Sequence, residues 1–129
     1  MEAPPRAAPA VPRPAPDQVL GKATTRAADF LSLKGNEIAR ILGVSEAMVS
    51  RIRRDERGLA PDSKEGQLAR LLIRVYRSLD AQVGNNAEHR QRWLDSHNRA
   101  LNGVPRELLR DPAGLVNVVQ YLDALRAPL

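Results

Sequence analysis

His89 and His97 are the first residues to weigh for acid–base or metal chemistry, with Glu88 and Asp95 beside them. On one continuous helix their eight-residue spacing sets them a little over two turns apart, about 12 Å along the axis, too far to share one ion. No third cluster of ligands accompanies them, and no glycine-rich phosphate loop occurs. Cysteine is absent, which removes disulfides, thiolate metal sites and a cysteine nucleophile. The sequence therefore assigns no catalytic residue, no metal and no cofactor, and the histidines read as surface or interface residues.

The arginines offer a different chemistry. Arg51, Arg53, Arg54 and Arg57 close a stretch, residues 35–54, whose apolar and small residues meet the demands of a DNA-reading helix-turn-helix. Ala39 is the small residue where two helices touch, Gly43 the turn glycine and Val44 the apolar plug. Ile38 and Leu42 lie on the first helix, Val49 and Ile52 on the second. If Val49 and Ile52 face inward, Ser45, Glu46, Ala47, Ser50 and Arg51 face a major groove. Arg51 then suits a guanine edge and Glu46 a cytosine amine. Arg53, Arg54 and Arg57 suit phosphates. The plainer alternatives are a helical hairpin, and arginines that merely complement the helix dipole at a solvated end. Eight Lys/Arg against seven Asp/Glu in residues 17–63 leave this region nearly neutral. One such module binds DNA weakly, since nonspecific affinity follows the phosphates neutralised, and a dimer on a palindromic site is the usual remedy.

These residues must be held by helices. The chain has 129 residues, a net charge of +5 and 43% hydrophobic residues, but only 3% aromatics, too few for base-stacking folds. No apolar stretch is long enough to span a bilayer. Residues 1–16 carry six of the ten prolines and five alanines, read as a disordered arm without the apolar core of a secretory signal. From Asp17 the periodicity is helical throughout, so an all-α fold is expected. A first helix presents Val19, Leu20, Ala23, Ala27, Phe30 and Leu31. Helices over 35–42 and from Ser45 to about Arg54 follow, then a polar loop over 55–61. Asp62 opens a long helix, with Glu65 completing a capping box and Leu68, Leu71, Leu72, Val75, Tyr76, Leu79 and Val83 turned inward. Residues 84–86 end it, and a helix with Trp93 and Leu94 runs to Asn102 and Gly103. Pro105 begins one turn with Leu108 and Leu109. Pro112 begins a last helix that buries Leu115, Val118, Val119, Leu122 and Leu125. The boundary between modules falls at 62/63, and the two are expected to share a core or to oligomerise, since neither is comfortable alone at that size.

Two resemblances add function. Residues 44–52, Val-Ser-Glu-Ala-Met-Val-Ser-Arg-Ile, resemble the second helix of the Xre or phage-repressor helix-turn-helix. The C-terminal half resembles the toxin-binding domain of the Xre/MbcA/ParS antitoxin family. It carries Trp93-Leu94, a polar stretch with Asn98, then Leu101, Gly103 and Leu108-Leu109, and a final helix introduced by Gly114. Pro105 stands one position early, and Arg126-Ala127 stands where relatives often have glycine. The resemblance implies residues 17–62 as an Xre-like module and residues 63–129 as a helical toxin-binding domain. It implies a bacterial cytoplasmic antitoxin whose partner is a RES-domain toxin that consumes NAD or ADP-ribosylates a target. The last helix and tail would cover the toxin's nucleotide cleft through Asn117, Gln120, Tyr121, Ala124, Arg126 and Leu129. Operator DNA, and a homodimer or a hetero-oligomer with the toxin, complete the expected partners.

Two other readings compete. In one, the chain is a stand-alone transcription regulator whose C-terminal half only dimerises it. In the other it is a pure inhibition module whose helix-turn-helix has lost DNA binding. The excess charge sits mostly after residue 63, at +3, where a protein partner is expected rather than DNA.

Overall fold

A computed structural model of the chain describes residues 15–126, and within them every regular element is an α-helix. The elements are α1 (Pro16–Phe30), α2 (Gly35–Leu42), α3 (Glu46–Arg53), α4 (Lys64–Val83), α5 (Ala87–Asp95), α6 (Pro105–Leu108) and α7 (Pro112–Arg126). The expected all-α class holds. Of the arm, residues 1–14 lie outside the described residues. Pro16 already opens α1, where its missing N–H costs no hydrogen bond.

Local chemistry sets the ends of most helices. Ser45 caps α3 by accepting from the Met48 amide at 3.1 Å. Asn86 does the same for α5 through the His89 amide at 3.0 Å. Between α2 and α3 the chain must turn sharply, and Gly43 takes φ 69°, a left-handed value that any side chain resists. The cap of α4 is Ser63 rather than Asp62: its hydroxyl oxygen accepts from the Gly66 amide at 3.0 Å while the hydroxyl donates to the Ala60 carbonyl at 2.6 Å.

α4 is the central element and packs against α1, α2, α5 and α7. Leu72, Val75 and Leu79 of α4 are fully buried, joined by Leu31 and Ile38 from before it and Leu94, Leu115 and Leu122 from after it. One continuous core therefore serves both halves, as their small size demands. α7 approaches α6 so closely that a Cβ on Gly114 would lie 2.2 Å from the Leu108 carbonyl oxygen, so only glycine fits.

Several expectations need correction. Val19 and Phe30 point outward, at 51% and 48% exposure, because α1 buries its small residues Gly21, Thr24 and Ala28 beside Leu20 and Ala27. Leu125 is exposed in the last turn of α7. α5 ends at Asp95, not at Asn102 and Gly103. The segment after it folds into a tight loop in which Asn98 and Gly103 exchange backbone hydrogen bonds at 2.8 and 3.2 Å. Asn102, with φ 55°, supplies the left-handed turn there. The polar loop over 55–61 is anchored by Leu59, fully buried, which contributes about 2 kcal/mol by leaving water.

Candidate functional site

Two surfaces carry the residues singled out by the sequence. The first is the outer face of α3. Burial of Val49 and Ile52 against the core leaves Glu46, Ala47, Ser50 and Arg51 exposed together on one side. Ser45 is exposed beside them, its oxygen engaged as the cap. The arginines that follow divide. Arg53 reaches back to α1 and pairs with Asp29 at 2.7 Å. Arg54 lays its guanidinium along Glu56, with Nε to Oε1 at 3.0 Å and Nη2 to Oε2 at 3.3 Å. Arg51 and Arg57 have no carboxylate partner among the described residues. Arg51 is thus exposed with no ion pair to give up, whereas Arg53 and Arg54 exchange an internal contact for any external one.

The second surface is the outer face of α7. Asn117, Gln120 and Ala124 are exposed in line, with Val116 beside them at 38% exposure. Tyr121 sits at the edge of this face, half-buried, its ring stacked on Trp93 of α5 with centroids 6.4 Å apart. Arg126 turns back toward α4 and donates to the Ser78 hydroxyl at 3.2 Å. Ser78, buried, donates in turn to Asp123 at 2.9 Å, and Asp123 also pairs with Arg74. This polar chain pins α7 to α4 and fixes which face α7 shows to solvent. Leu129 lies outside the described residues.

Next to Trp93 a depression of about 420 Å³ is lined by Val83, His89, Arg92, Ser96, His97 and Asn98. The two histidines do not share a helix, since His97 follows the end of α5, yet both reach this one hollow. Among the described residues no group of three His, Asp or Glu side chains is placed to hold a metal ion. No helix among them is long and apolar enough to cross a membrane.

Sequence reasoning missed the two arginines that join α5 and α6 to the end of α1. Arg90, only 3% exposed, donates to the Phe30 carbonyl at 3.2 Å and to Asp80 Oδ1 at 3.0 Å. Its guanidinium lies 5.5 and 5.6 Å from the Phe30 and Tyr76 rings, which stack on each other at 4.9 Å. Arg106 donates to the Leu31 carbonyl at 3.0 Å, to Gln91 Oε1 at 2.7 Å and to Asp95 Oδ1 at 2.5 Å. The last carbonyls of a helix have no partner within it and carry partial negative charge, so two arginines from α5 and α6 suit the end of α1 on both counts. No short motif announces such a pairing, because the partners stand sixty or more residues apart.

Residues 78–127, from the last turns of α4 through α7, match the family model described as the antitoxin Xre/MbcA/ParS C-terminal toxin-binding domain. No curated protein matches the chain.

Proposed function

We propose that the chain, which its C-terminal domain marks as an Xre/MbcA/ParS-type antitoxin, neutralises a RES-type toxin by laying α7 and the residues after it across the toxin's nucleotide cleft. The observation that carries this reading is the outward row Asn117, Gln120 and Ala124 on α7, inside the matched domain and held in one orientation by the Arg74–Asp123–Ser78–Arg126 chain. Two neighbouring amide side chains followed by a small residue suit a polar, recessed partner surface, and the half-buried Tyr121 adds an aromatic edge. Neutralisation is steric: a cleft filled by α7 admits no NAD, so the antitoxin needs no chemistry of its own. The chain is placed in the bacterial cytoplasm, where such a toxin acts.

The same chain represses its own operon through α2 and α3, with Ser50 and Arg51 at base edges and Arg57 on a phosphate. The exposed, unpaired Arg51 on α3 favours this over a module that has lost DNA binding. The alternative, a stand-alone regulator dimerised by its C-terminal half, loses ground because the C-terminal match is to a toxin-binding domain. Purifying the chain together with the product of the adjacent gene, and assaying NAD consumption with and without it, tests the proposal. Absence of a complex, or an unchanged NAD-consuming rate, overturns it.

A further inference from the structure

We infer that the seam between α1 and α4 is a docking groove for an acidic amphipathic helix of a protein partner, separate from the faces of α3 and α7. Two depressions adjoin along this seam. One, of about 440 Å³, is floored by Val19, Leu20, Ala23 and Ile73. The other, of about 220 Å³, is floored by Ala23, Ala27, Phe30 and Ile73. They share Ala23, Ile73 and Arg77, so they form one trough. Val19 and Phe30, two of the most exposed large apolar side chains among the described residues, stand toward its two ends. At 1.5 Å per residue they are about 16 Å apart along α1, the length of roughly three turns of a bound helix.

The rim states the charge of the occupant. Arg26, Arg70, Arg74 and Arg77 line the trough, and no Asp or Glu does. Arg74 is engaged by Asp123, but Arg26, Arg70 and Arg77 have no carboxylate partner among the described residues. A second copy placed here by two-fold symmetry would bring like-charged rims together, which costs rather than stabilises. Duplex DNA would meet the arginines but leave the apolar floor without a partner. An amphipathic helix satisfies both features, with apolar side chains at i, i+3, i+4 and i+7 on the floor and carboxylates along both flanks against the rim. Arginine stems also cover apolar surface while their heads stay in water, so the rim adds contact area as well as charge.

Two short synthetic helices of identical leucine pattern, one flanked by glutamates and one by lysines, test this on the full chain. Binding is read by fluorescence anisotropy and mapped by amide NMR shifts. The glutamate peptide is expected to bind, to shift Ala23, Ile73 and Arg77, and to weaken as salt rises, while the lysine peptide does not bind. The double variant Arg70→Glu/Arg77→Glu, at exposed positions, is expected to lose at least about tenfold in affinity, and Val19→Asp weakens binding independently. Four results each overturn the inference: no binding of the glutamate peptide, equal binding of both peptides, shifts elsewhere on the surface, or affinity undiminished in Arg70→Glu/Arg77→Glu. Shifts of the groove residues with protein concentration alone overturn it in favour of a second copy, and shifts with duplex DNA overturn it in favour of nucleic acid.

Discussion

The guanidinium of Arg106, on α6, donates to the backbone carbonyl of Leu31 at 3.0 Å, so the C-terminal helices hold the end of the first helix by its main chain. Arg90 makes the parallel contact from α5 to the neighbouring carbonyl of Phe30. Between them these two arginines tie α5 and α6 to the C-terminal end of α1. Both donor and acceptor lose hydration on folding, so a contact removed on one side leaves the other side unsatisfied.

Arg106→Ala is accordingly expected to lower stability by about 1–3 kcal/mol. Arg90→Met is expected to cost about 3 kcal/mol, near the lower limit for breaking a buried ion pair, because Asp80 keeps some contact with water. Gln91 accepts from Arg106 and donates to Phe30, so the double variant will fall short of the sum of the two. Urea unfolding followed by circular dichroism checks all three. A loss below about 0.5 kcal/mol for Arg106→Ala, the range of ordinary surface changes, would show that the contact is ornamental to the fold.

The start of α4 gives a sharper local test. Ser63→Ala removes the acceptor for the Gly66 amide and the donor to Ala60 together, and is expected to cost about 1–2 kcal/mol. Asp62→Ala, one residue earlier, is expected to stay within about 0.5 kcal/mol. Equal losses at the two positions would return the cap to Asp62.

How far the sequence could be read follows from the same local physics. α2 and α3 were legible because each boundary has its own chemistry: Gly43 for the turn and Ser45 for the cap. α1 was legible as a helix but not in its rotation. Its buried residues include Gly21, Thr24 and Ala28, which contribute little to a hydropathy pattern, whereas Val19 and Phe30 lie nearly on the opposite face, roughly 120–180° from them at 100° per residue. The end of α5 carries no glycine or proline. It stops where Asn98 engages the Leu101 amide and pairs with Gly103, a tertiary preference for a loop that periodicity does not register. The α3 face was legible from the inward phase of Val49 and Ile52. That Arg53 and Arg54 would be engaged by Asp29 and Glu56 depends on the packing of α3 on α1 and on the turn after α3.

Gly114→Ala tests the close approach of α7 to α6. The added methyl collides with the backbone of Leu108, which cannot rotate away, so a loss of about 3 kcal/mol is expected, in the upper range for overpacking. Thermal unfolding measures it. A loss no greater than that of Ala113→Gly, at the exposed preceding position, would show that α7 shifts freely on α6.

If α3 reads an operator, its arginines should separate by role. Arg51→Ala is expected to cost about 1–3 kcal/mol at one base pair and to relax preference there. Arg57→Ala should weaken all sequences alike and reduce the salt slope by about one. Arg53→Ala, already spent on Asp29, should change the salt slope less than Arg57→Ala. Titrations of the region upstream of the gene at several salt concentrations distinguish these, and equal slopes for all three variants would contradict the assignment.

The α7 face makes the most direct prediction for neutralisation. Asn117 and Gln120 are exposed and take no part in the core, so Asn117→Arg and Gln120→Arg should leave the unfolding temperature nearly unchanged. Each places a long charged side chain where the proposed interface is closest, and each is expected to weaken the toxin complex at least about tenfold, or 1.4 kcal/mol. Leu122→Ala, in the buried row of the same helix, should instead destabilise the fold by about 2–5 kcal/mol. Comparing complex affinity with unfolding for the three variants separates a binding face from a folding face. Unchanged affinity in Asn117→Arg and Gln120→Arg, with a folded chain, would move the toxin contact off α7.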